Sequence, residues 1–317
     1  MNYRQLGATG ITVSEVGMGC WGIGSDAYGR QDDDVSLGAL RAALDAGITF
    51  FDTADVYGAG HSEELVGEAV KQWGRDSIVI ATKVGSLPHS GREMPHIFTP
   101  EHIRQACEAS LRRLQTDYID LYQLHSPPLD TDKARLEFHG AISELDILRV
   151  AGKIRAVGVS VKSPEDALTA YPIPAVDVLQ VNFNLIDQRI LESGLLEMVT
   201  TSRGPGLIAR TPLAFGFLSS RYQPGHKFQK PHHLAYWPQQ QIDTWAKAPS
   251  AFAEIKPEAA TWTEFALGFI LSHASISTVI PGMLTPDEVR SNLGAYIQDA
   301  GTIDAAYQIY RSHEFFI

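Results

Sequence analysis

The chain has 317 residues, of which 44% are hydrophobic and 20% are charged, a composition typical of a globular protein with a large core. The formal net charge of -11 at pH 7 argues against nucleic acid as a main partner. Cys20 and Cys107 are the only cysteines and supply no disulfide framework, and no apolar run approaches the roughly 20 residues of a membrane-spanning helix. We therefore expect a cytoplasmic protein that binds neither a membrane nor nucleic acid.

The N-terminal segment MNYRQLGATGITVSEVG predicts two short strands around a Gly-Ala-Thr-Gly turn, that is, an N-terminal β-hairpin. Eight short apolar runs follow, separated by segments of helical period. Such alternation predicts parallel βα units of an α/β protein, most simply a single (β/α)8 TIM barrel over residues 1–317, with an open doubly wound sheet as the alternative. The predicted strands are Val16–Gly19, Thr49–Asp52, Ile78–Lys83, Ile119–His125, Ile154–Ser160, Val178–Val181, Leu207–Thr211 and Thr278–Pro281. The predicted helices lie near 33–46, 62–73, 100–114, 136–151, 164–170, 190–202, 257–273 and 286–298.

The sequence also predicts three helix starts and one long loop. Thr99-Pro100, Ser163-Pro164 and Thr285-Pro286 each place a capping hydroxyl directly before a proline, which predicts a helix start. A long irregular loop is expected after strand 7, roughly from Pro212 to Pro257. Loops of that length inside a compact domain usually serve as lids or binding loops.

The glycines that follow the first barrel strand match a dinucleotide-binding pattern only superficially. Residues 17–22, Gly-Met-Gly-Cys-Trp-Gly, fit the G-x-G-x-x-G spacing, but that motif must open a helix whose N-terminus binds the pyrophosphate. Here the continuation IGSDAYGRQ is typical of a loop. We interpret these glycines as letting the loop approach a flat ring, with Trp21 at the wall of the pocket.

Ionisable residues lie at the ends of three successive predicted strands. Asp52, Lys83 and His125 end the second, third and fourth strands, and Tyr57 follows the first of these. Because barrel chemistry takes place at the carboxyl ends of the strands, we expect the four side chains to meet. Lys83 would neutralise a buried Asp52 and lower the pKa of Tyr57 from about 10, which suits Tyr57 to proton transfer.

The motifs around these residues resemble those of the aldo-keto reductases. The quoted segments FDTADVYGAGHSEELVGEAV, IVIATKVG and DYIDLYQLHSP are similar to the family's signature, lysine and histidine segments, and the resemblance extends from Arg4 to VIPGMLTPDEVRSN. It implies the catalytic tetrad Asp52, Tyr57, Lys83 and His125, and hydride transfer between a nicotinamide and a carbonyl carbon. Tyr57 would be the general acid or base, and His125 would orient the carbonyl of a small aldehyde, ketone or sugar.

The same resemblance implies the contacts of a nicotinamide cofactor. It places the loop after the first barrel strand and four later strand ends beside the nicotinamide, one loop around the pyrophosphate, and one helix start beside the adenosine. In that order the residues are Gly19, Cys20, Trp21, Asp52, Ser160, Gln180 and Arg210; Leu213, Gly216, Leu218, Ser219 and Arg221; and Gly282, Thr285, Glu288 and Asn292. The implied substrate pocket consists of Trp21, Val56, Tyr57 and His125.

Three residues depart from the family pattern. Val161 stands where asparagine usually follows the serine, and Arg210 stands in place of the aromatic residue that stacks on nicotinamide. Glu288 stands where NADPH-preferring relatives often have a basic residue or glutamine. A carboxylate repels the adenosine 2′-phosphate and accepts a hydrogen bond from a ribose hydroxyl, as acids do in NAD sites. The resemblance therefore predicts NADP(H), whereas Glu288 favours NAD(H).

Three other functions stay open at this point. One is a nicotinamide-sensing subunit without catalysis, and another is an NAD-dependent sugar dehydrogenase that works in the oxidative direction. The third, a metal-dependent hydrolase or isomerase, finds little support, because the scattered histidines lack the spacing of a metal site; these are His89, His96, His226, His232 and His233. The expected partner is a small carbonyl or alcohol substrate, and a monomer and a homo-oligomer are equally compatible with the sequence.

Overall fold

The structure is a computed structural model that describes residues 1–29, 32–88, 95–201 and 204–317. His89, one of the histidines considered as a metal ligand, lies outside the described residues. Within these ranges, no described helix has the length and apolar composition required to cross a bilayer. The same residues contain no group of three or more His, Cys, Asp or Glu side chains arranged to hold a metal ion.

The chain begins with an antiparallel hairpin and continues into eight parallel strands. The hairpin joins β1 to β2, with Tyr3 opposite Ser14 and Gln5 opposite Thr12. The strands are β1 Tyr3–Gln5, β2 Thr12–Ser14, β3 Met18–Gly19, β4 Phe50–Asp52, β5 Val79–Val84, β6 Ile119–His125, β7 Ile154–Ser160, β8 Val178–Asn182, β9 Gly206–Arg210 and β10 Ile276–Val279. The helices are α1 Asp33–Asp45, α2 His61–Trp73, α3 Pro100–Arg113, α4 Asp132–Val150, α5 Pro164–Ala170, α6 Arg189–Glu192, α7 Leu195–Thr201, α8 Gln239–Ala251, α9 Trp262–Leu271, α10 Pro286–Ser291 and α11 Ala300–Ser312.

Strands β3 to β10 form one sheet in chain order, and the sheet closes on itself. Each strand pairs in parallel with the next, and parallel bridges join Val16 to Val279 and Gly19 to Gly282. The amide of Gly17 donates to the carbonyl of Val279 at 2.8 Å across this seam. The predicted TIM barrel and N-terminal hairpin are both confirmed.

The hairpin closes the amino-terminal end of the barrel. Leu6, Ile11 and Val13 are buried and pack with inward-facing apolar side chains of the barrel strands, such as Phe50 and Leu121. Gly7 has a φ of +57°, and a Cβ atom there would lie 2.3 Å from the backbone nitrogen of Gly206, so only glycine fits this close approach. The opposite, carboxyl-terminal end of the barrel is therefore the end left for chemistry.

The three predicted helix starts are present. The hydroxyls of Thr99, Ser163 and Thr285 accept hydrogen bonds from the third residue beyond each of them, and a proline follows each cap directly. A capping oxygen accepts from one of the first backbone amides, which have no acceptor within the helix. Proline has no N–H group, and none is needed at this position. Local sequence thus defines these starts.

The segment predicted as a long irregular loop contains a regular helix, so that prediction is wrong in part. Helix α8 spans Gln239–Ala251 and buries Ile242, Trp245 and Ala246, which follow the i, i+3, i+4 spacing of a helix face. Pro249 lies inside this helix, and an internal proline normally argues against one. Packing of the apolar face outweighs that local penalty.

Other helices also differ from prediction, and α10 ends at Ser291 rather than near residue 298. The segment near 190–202 divides into α6 and α7 at Gly194, whose φ is +74°, because this left-handed conformation ends a helix. Helix α11 was not predicted, and Ala306 is its only fully buried residue; Ile303, Ile309 and Tyr310 pack partly buried against the core.

Candidate active site

The predicted tetrad lies at the carboxyl ends of β4, β5 and β6. Asp52 and His125 are the last residues of their strands, and Lys83 is the penultimate residue of β5. The relative exposure is 3% for Asp52, 1% for Lys83 and 4% for His125. Strand pairing places Lys83 opposite Gln123 and His125 opposite Ser160, so the barrel's register brings these side chains to one side of the rim.

Lys83 is the centre of the cluster. Its Nζ atom lies 2.5 Å from Oδ2 of Asp52, 2.8 Å from the carbonyl oxygen of Thr53 and 3.4 Å from the hydroxyl of Tyr57. These three acceptors satisfy the three donors of a lysine ammonium. The ammonium group is therefore held between a carboxylate and a phenol.

A tight left-handed turn holds Tyr57 over this lysine. Gly58, Ala59 and Gly60 follow it with φ values of +57°, +56° and +100°. A Cβ atom at position 58 would lie 1.9 Å from the carbonyl oxygen of Gly24, so glycine is required both by conformation and by space. The turn leads directly into α2, which begins at His61.

The second oxygen of Asp52 anchors a buried amide network. Oδ1 accepts hydrogen bonds from Nε2 of Gln123 at 3.1 Å and from Nε2 of Gln180 at 2.8 Å. The hydroxyl of Ser160 donates to Oε1 of Gln180 at 3.1 Å. The structure thus brings Asp52, Gln180 and Ser160 together as predicted.

Gln123 is a site residue that the sequence reasoning missed. It lies two residues before His125 on β6, so both side chains point to the same side of the strand. This alternation puts Gln123 on the same side of β6 as His125, but only the structure shows that it is fully buried and bonded to Asp52, as a buried amide requires partners.

Burial dominates the electrostatics of Tyr57. Desolvation raises the pKa of Tyr57, Lys83 lowers it in part, and the outcome is a pKa above the ordinary value of 10. The prediction of a lowered pKa is therefore wrong in sign, because the loss of solvent around the phenolate outweighs the nearby ammonium. Tyr57 is a neutral phenol, and thus a proton donor, at neutral pH.

Lys83 is positively charged, whereas His125 is neutral. Burial by itself lowers the pKa of Lys83, but the charge of Asp52 and the hydrogen bonds raise it overall, so Lys83 stays protonated. Burial, together with the positive charges of Lys83 and Arg210, lowers the pKa of His125 well below its ordinary value. The neutral His125 ring lies edge-on to Tyr57, with a centroid separation of 5.8 Å.

Arg210 ends β9 beside this network. Its Nε donates to Oδ1 of Asn182 at 2.9 Å, and its Nη1 lies 3.5 Å from the hydroxyl of Ser160. Both contacts are to neutral groups, and within the described residues no carboxylate pairs with this half-buried guanidinium. An unpaired cation at this depth is suited to an anionic or strongly polar ligand group.

An ion pair joins the two segments predicted to bind the pyrophosphate and the adenosine. Nη1 of Arg221 lies 2.8 Å from Oε1 of Glu288, and Oε2 of Glu288 accepts from the amide of Leu284 at 2.8 Å. Thr285 caps α10, and Nδ2 of Asn292 donates to the carbonyl of Gly282 at 3.3 Å. The other predicted residues of the first segment lie in a 3₁₀ turn or just before it: Leu213, Gly216, Leu218 and Ser219.

Trp21 forms an aromatic wall beside Tyr57. Its ring centroid lies 6.4 Å from that of Tyr57 and 6.0 Å from that of Phe215. Val56, the residue before Tyr57, is half-buried. Cys20, which was also predicted to lie beside the nicotinamide, has a thiol that faces the core. Burial raises the pKa of this thiol, and the thiol donates to the carbonyl of Met18.

Residues 15–308 match the Aldo/keto reductase family. Among curated proteins, the chain is 33% identical to "Probable aldo-keto reductase 1" of Glycine max over 304 residues, covering 92% of this chain and 83% of that protein. It is 28% identical to the "NADH-specific methylglyoxal reductase" of Escherichia coli strain K12 over 331 residues, covering 96% of each.

Solved structures agree with this match. An aldo-keto reductase of Bacillus halodurans in its holo form superposes with a TM-score of 0.80 at 28% identity, covering 98% of this chain and 96% of that one. The glycerol dehydrogenase of Gluconobacter oxydans superposes with a TM-score of 0.81 at 27% identity, covering 99% and 97%.

Proposed function

Since the chain belongs to the aldo/keto reductase family and is therefore an NAD(P)(H)-dependent oxidoreductase, we propose that it interconverts carbonyl compounds and alcohols with Tyr57 as the general acid and base. The main observation that supports this proposal is the position of Lys83. Its ammonium group lies between Asp52 and the Tyr57 hydroxyl, at 2.5 Å and 3.4 Å. A phenol next to a fixed positive charge is stabilised in the state that follows proton release.

In reduction, Tyr57 donates its proton to the oxygen of the substrate carbonyl. The raised pKa of Tyr57 keeps the proton available at neutral pH. As the proton leaves, the phenolate gains the attraction of Lys83, whose own charge Asp52 stabilises. In oxidation the same phenolate removes the proton from the alcohol.

His125 orients the carbonyl. Its ring is neutral, because its pKa lies well below the ordinary value, so one ring nitrogen carries a proton and donates a hydrogen bond. A carbonyl oxygen placed between Tyr57 and His125 receives two donors, which polarises the carbonyl bond.

The donors at the rim fit a nicotinamide dinucleotide. We assign the carboxamide end to Ser160, Gln180 and Arg210, with Gly19 and Trp21 beside the ring, because the half-buried guanidinium of Arg210 contacts only neutral protein groups. Arg221 supplies a half-exposed cation for the pyrophosphate segment. When bound, the reduced nicotinamide supplies the hydride that the carbonyl carbon receives.

The proposal includes both NADP(H) and NAD(H) as cofactors. The family uses NADP(H) or NAD(H), and the similar methylglyoxal reductase is named NADH-specific. Glu288 adds a carboxylate near the adenosine end, which favours NAD(H), although Arg221 offsets its charge at 2.8 Å.

The proposed substrates are small aldehydes or ketones, including sugars. The names of two similar proteins point the same way, since methylglyoxal and glycerol are small oxygenated compounds. An oxidative NAD-dependent sugar dehydrogenase is the second candidate, favoured by Glu288. A nicotinamide-sensing subunit without turnover is disfavoured by the assembled Asp52, Tyr57, Lys83 and His125.

Tyr57→Phe tests the proposal. The variant keeps the ring but lacks the proton, so we expect turnover of a panel of aldehydes to fall by about 10²–10⁴-fold, the usual contribution of a general acid. Binding of the cofactor, followed by fluorescence titration, should persist. Tyr236→Phe, at an exposed tyrosine, is the matched control. Full activity of Tyr57→Phe, or a wild type that binds cofactor but turns over nothing, would contradict the proposal.

A further inference from the structure

The adjacent histidines His232 and His233 have no role in the proposed reaction. They lie between β9 and α8, where His233 begins a short 3₁₀ turn. His233 fastens this segment to the loop after β3, because its backbone nitrogen and its Nδ1 both lie 2.8 Å from the carbonyl oxygen of Ala27. The two loops are therefore joined by these hydrogen bonds.

The contact with Ala27 defines the protonation of His233. A carbonyl oxygen only accepts hydrogen bonds, so Nδ1 must carry the ring proton. Burial lowers the pKa of His233 to about 4, so the ring is neutral at neutral pH. The lone pair is then on Nε2, which is a hydrogen-bond acceptor.

Aromatic rings surround this acceptor. The ring of His233 lies 4.6 Å from that of Trp21 and 4.9 Å from those of Tyr28 and Phe215, measured between centroids. Its Nε2 is buried and meets no hydrogen-bond donor among the described residues. Buried polar atoms of this kind normally have a partner in the protein, in water or in a ligand.

Trp21 connects His233 to the reacting group. The Trp21 ring contacts Tyr57 on one side and His233 on the other, at 6.4 Å and 4.6 Å. A substrate that extends along Trp21 from Tyr57 would reach the His233 ring.

On the basis of the proposed function, we propose that His233 is a positioning residue whose Nε2 accepts a hydrogen bond from a substrate hydroxyl group. The preferred substrates are then carbonyl compounds that bear hydroxyls on the neighbouring carbons, rather than plain aldehydes. The rings of Trp21, Tyr28 and Phe215 form apolar walls for the carbon chain. Nε2 is buried in this structure, so the proposal requires one of the surrounding rings to move when the hydroxyl binds.

Two variants separate the acceptor from the loop contact. In His233→Asn, the amide nitrogen takes the place of Nδ1 toward Ala27 but no acceptor replaces Nε2. In His233→Gln, the amide oxygen takes the place of Nε2. The control is His232→Asn, because Nδ1 of His232 accepts from the amide of Leu234 and the oxygen of asparagine can do the same.

The experiment measures kcat and KM for glyceraldehyde and propanal, which differ by two hydroxyl groups. Wild type should prefer glyceraldehyde. His233→Asn should lower this preference by about 3- to 10-fold, as expected for one hydrogen bond, mainly through KM for glyceraldehyde. His233→Gln and His232→Asn should retain the preference. Comparing variants cancels the different hydration of the two aldehydes.

Other results would contradict either the assignment of His233 or the proposed function on which it rests. If His233→Asn keeps the wild-type preference, or if His233→Asn and His233→Gln lose activity equally on both aldehydes, the assignment of His233 is overturned while the proposed function stands. If wild type turns over neither aldehyde with either cofactor, the proposed function fails, and this inference fails with it.

Discussion

The Nζ atom of Lys83 lies 2.5 Å from Oδ2 of Asp52, and both side chains are almost completely buried. Removing one partner of such a pair leaves an unpaired buried charge, which costs about 3–5 kcal/mol. We therefore predict that Lys83→Met lowers the free energy of unfolding by about that amount. Urea unfolding followed by circular dichroism measures it.

The double variant Lys83→Met/Asp52→Asn distinguishes charge from packing. It carries no charge at either of these two positions, so it should recover most of the lost stability while remaining inactive. Arg41→Met removes one member of an exposed pair with Asp45 and should cost less than about 1 kcal/mol. A double variant as unstable as Lys83→Met would refute the charge argument.

The protonation of Tyr57 predicts different pH profiles for the two directions of the reaction. Its pKa is raised above 10, so the phenol stays protonated and reduction should be nearly constant between about pH 6 and pH 9. The low pKa of His125 keeps that ring neutral over the same range. Oxidation needs the phenolate and should accelerate as the pH rises. Initial rates in both directions test this, and a steep fall in reduction near neutral pH would contradict it.

Three of the four proposed catalytic residues could be predicted because each lies at the end of a strand whose apolar run is visible in the sequence. Asp52, Lys83 and His125 need only the parallel order of β4, β5 and β6 to meet at one rim. The role of Gln123 depends on which buried amides face Asp52 across two strand pairings, which an apolar pattern does not reveal.

Other features depend on burial and on long-range contacts. The pKa of Tyr57 rises because solvent is excluded around it, although the sequence shows only the neighbouring lysine. Arg221 and Glu288 are 67 residues apart in the chain and meet only through the closed barrel. Helix α8 contains Pro249, so tertiary packing rather than local propensity forms its last turn.

The Arg221–Glu288 pair predicts how cofactor preference responds to charge. If Glu288 lies beside the 2′-position as proposed, Glu288→Gln removes a carboxylate that repels a 2′-phosphate, so the affinity for NADPH relative to NADH should rise, by about 10-fold for a gain near 1.4 kcal/mol. Fluorescence titrations with both cofactors measure the ratio. Asp287→Asn changes the charge of a neighbouring residue whose side chain is 86% exposed and is the control. An unchanged ratio in Glu288→Gln would show that the 2′-position lies away from this carboxylate.

Asp55, on the loop between β4 and Tyr57, predicts a dependence of stability on pH. Burial and the neighbouring Glu63 raise the pKa of Asp55 to about 7, and its Oδ1 has no hydrogen-bond partner among the described residues. Between about pH 4 and pH 7 the folded state holds a proton that the unfolded state has lost, so stability from this group falls as the pH rises through that range. Asp55→Asn cannot ionise and should match wild type near pH 4 but be more stable at pH 8, by up to about 4 kcal/mol. Urea unfolding at both pH values measures the difference, with the exposed Asp304→Asn as control. An Asp55→Asn variant that gains no stability at pH 8 would show that Asp55 is ionised at no cost in the folded protein.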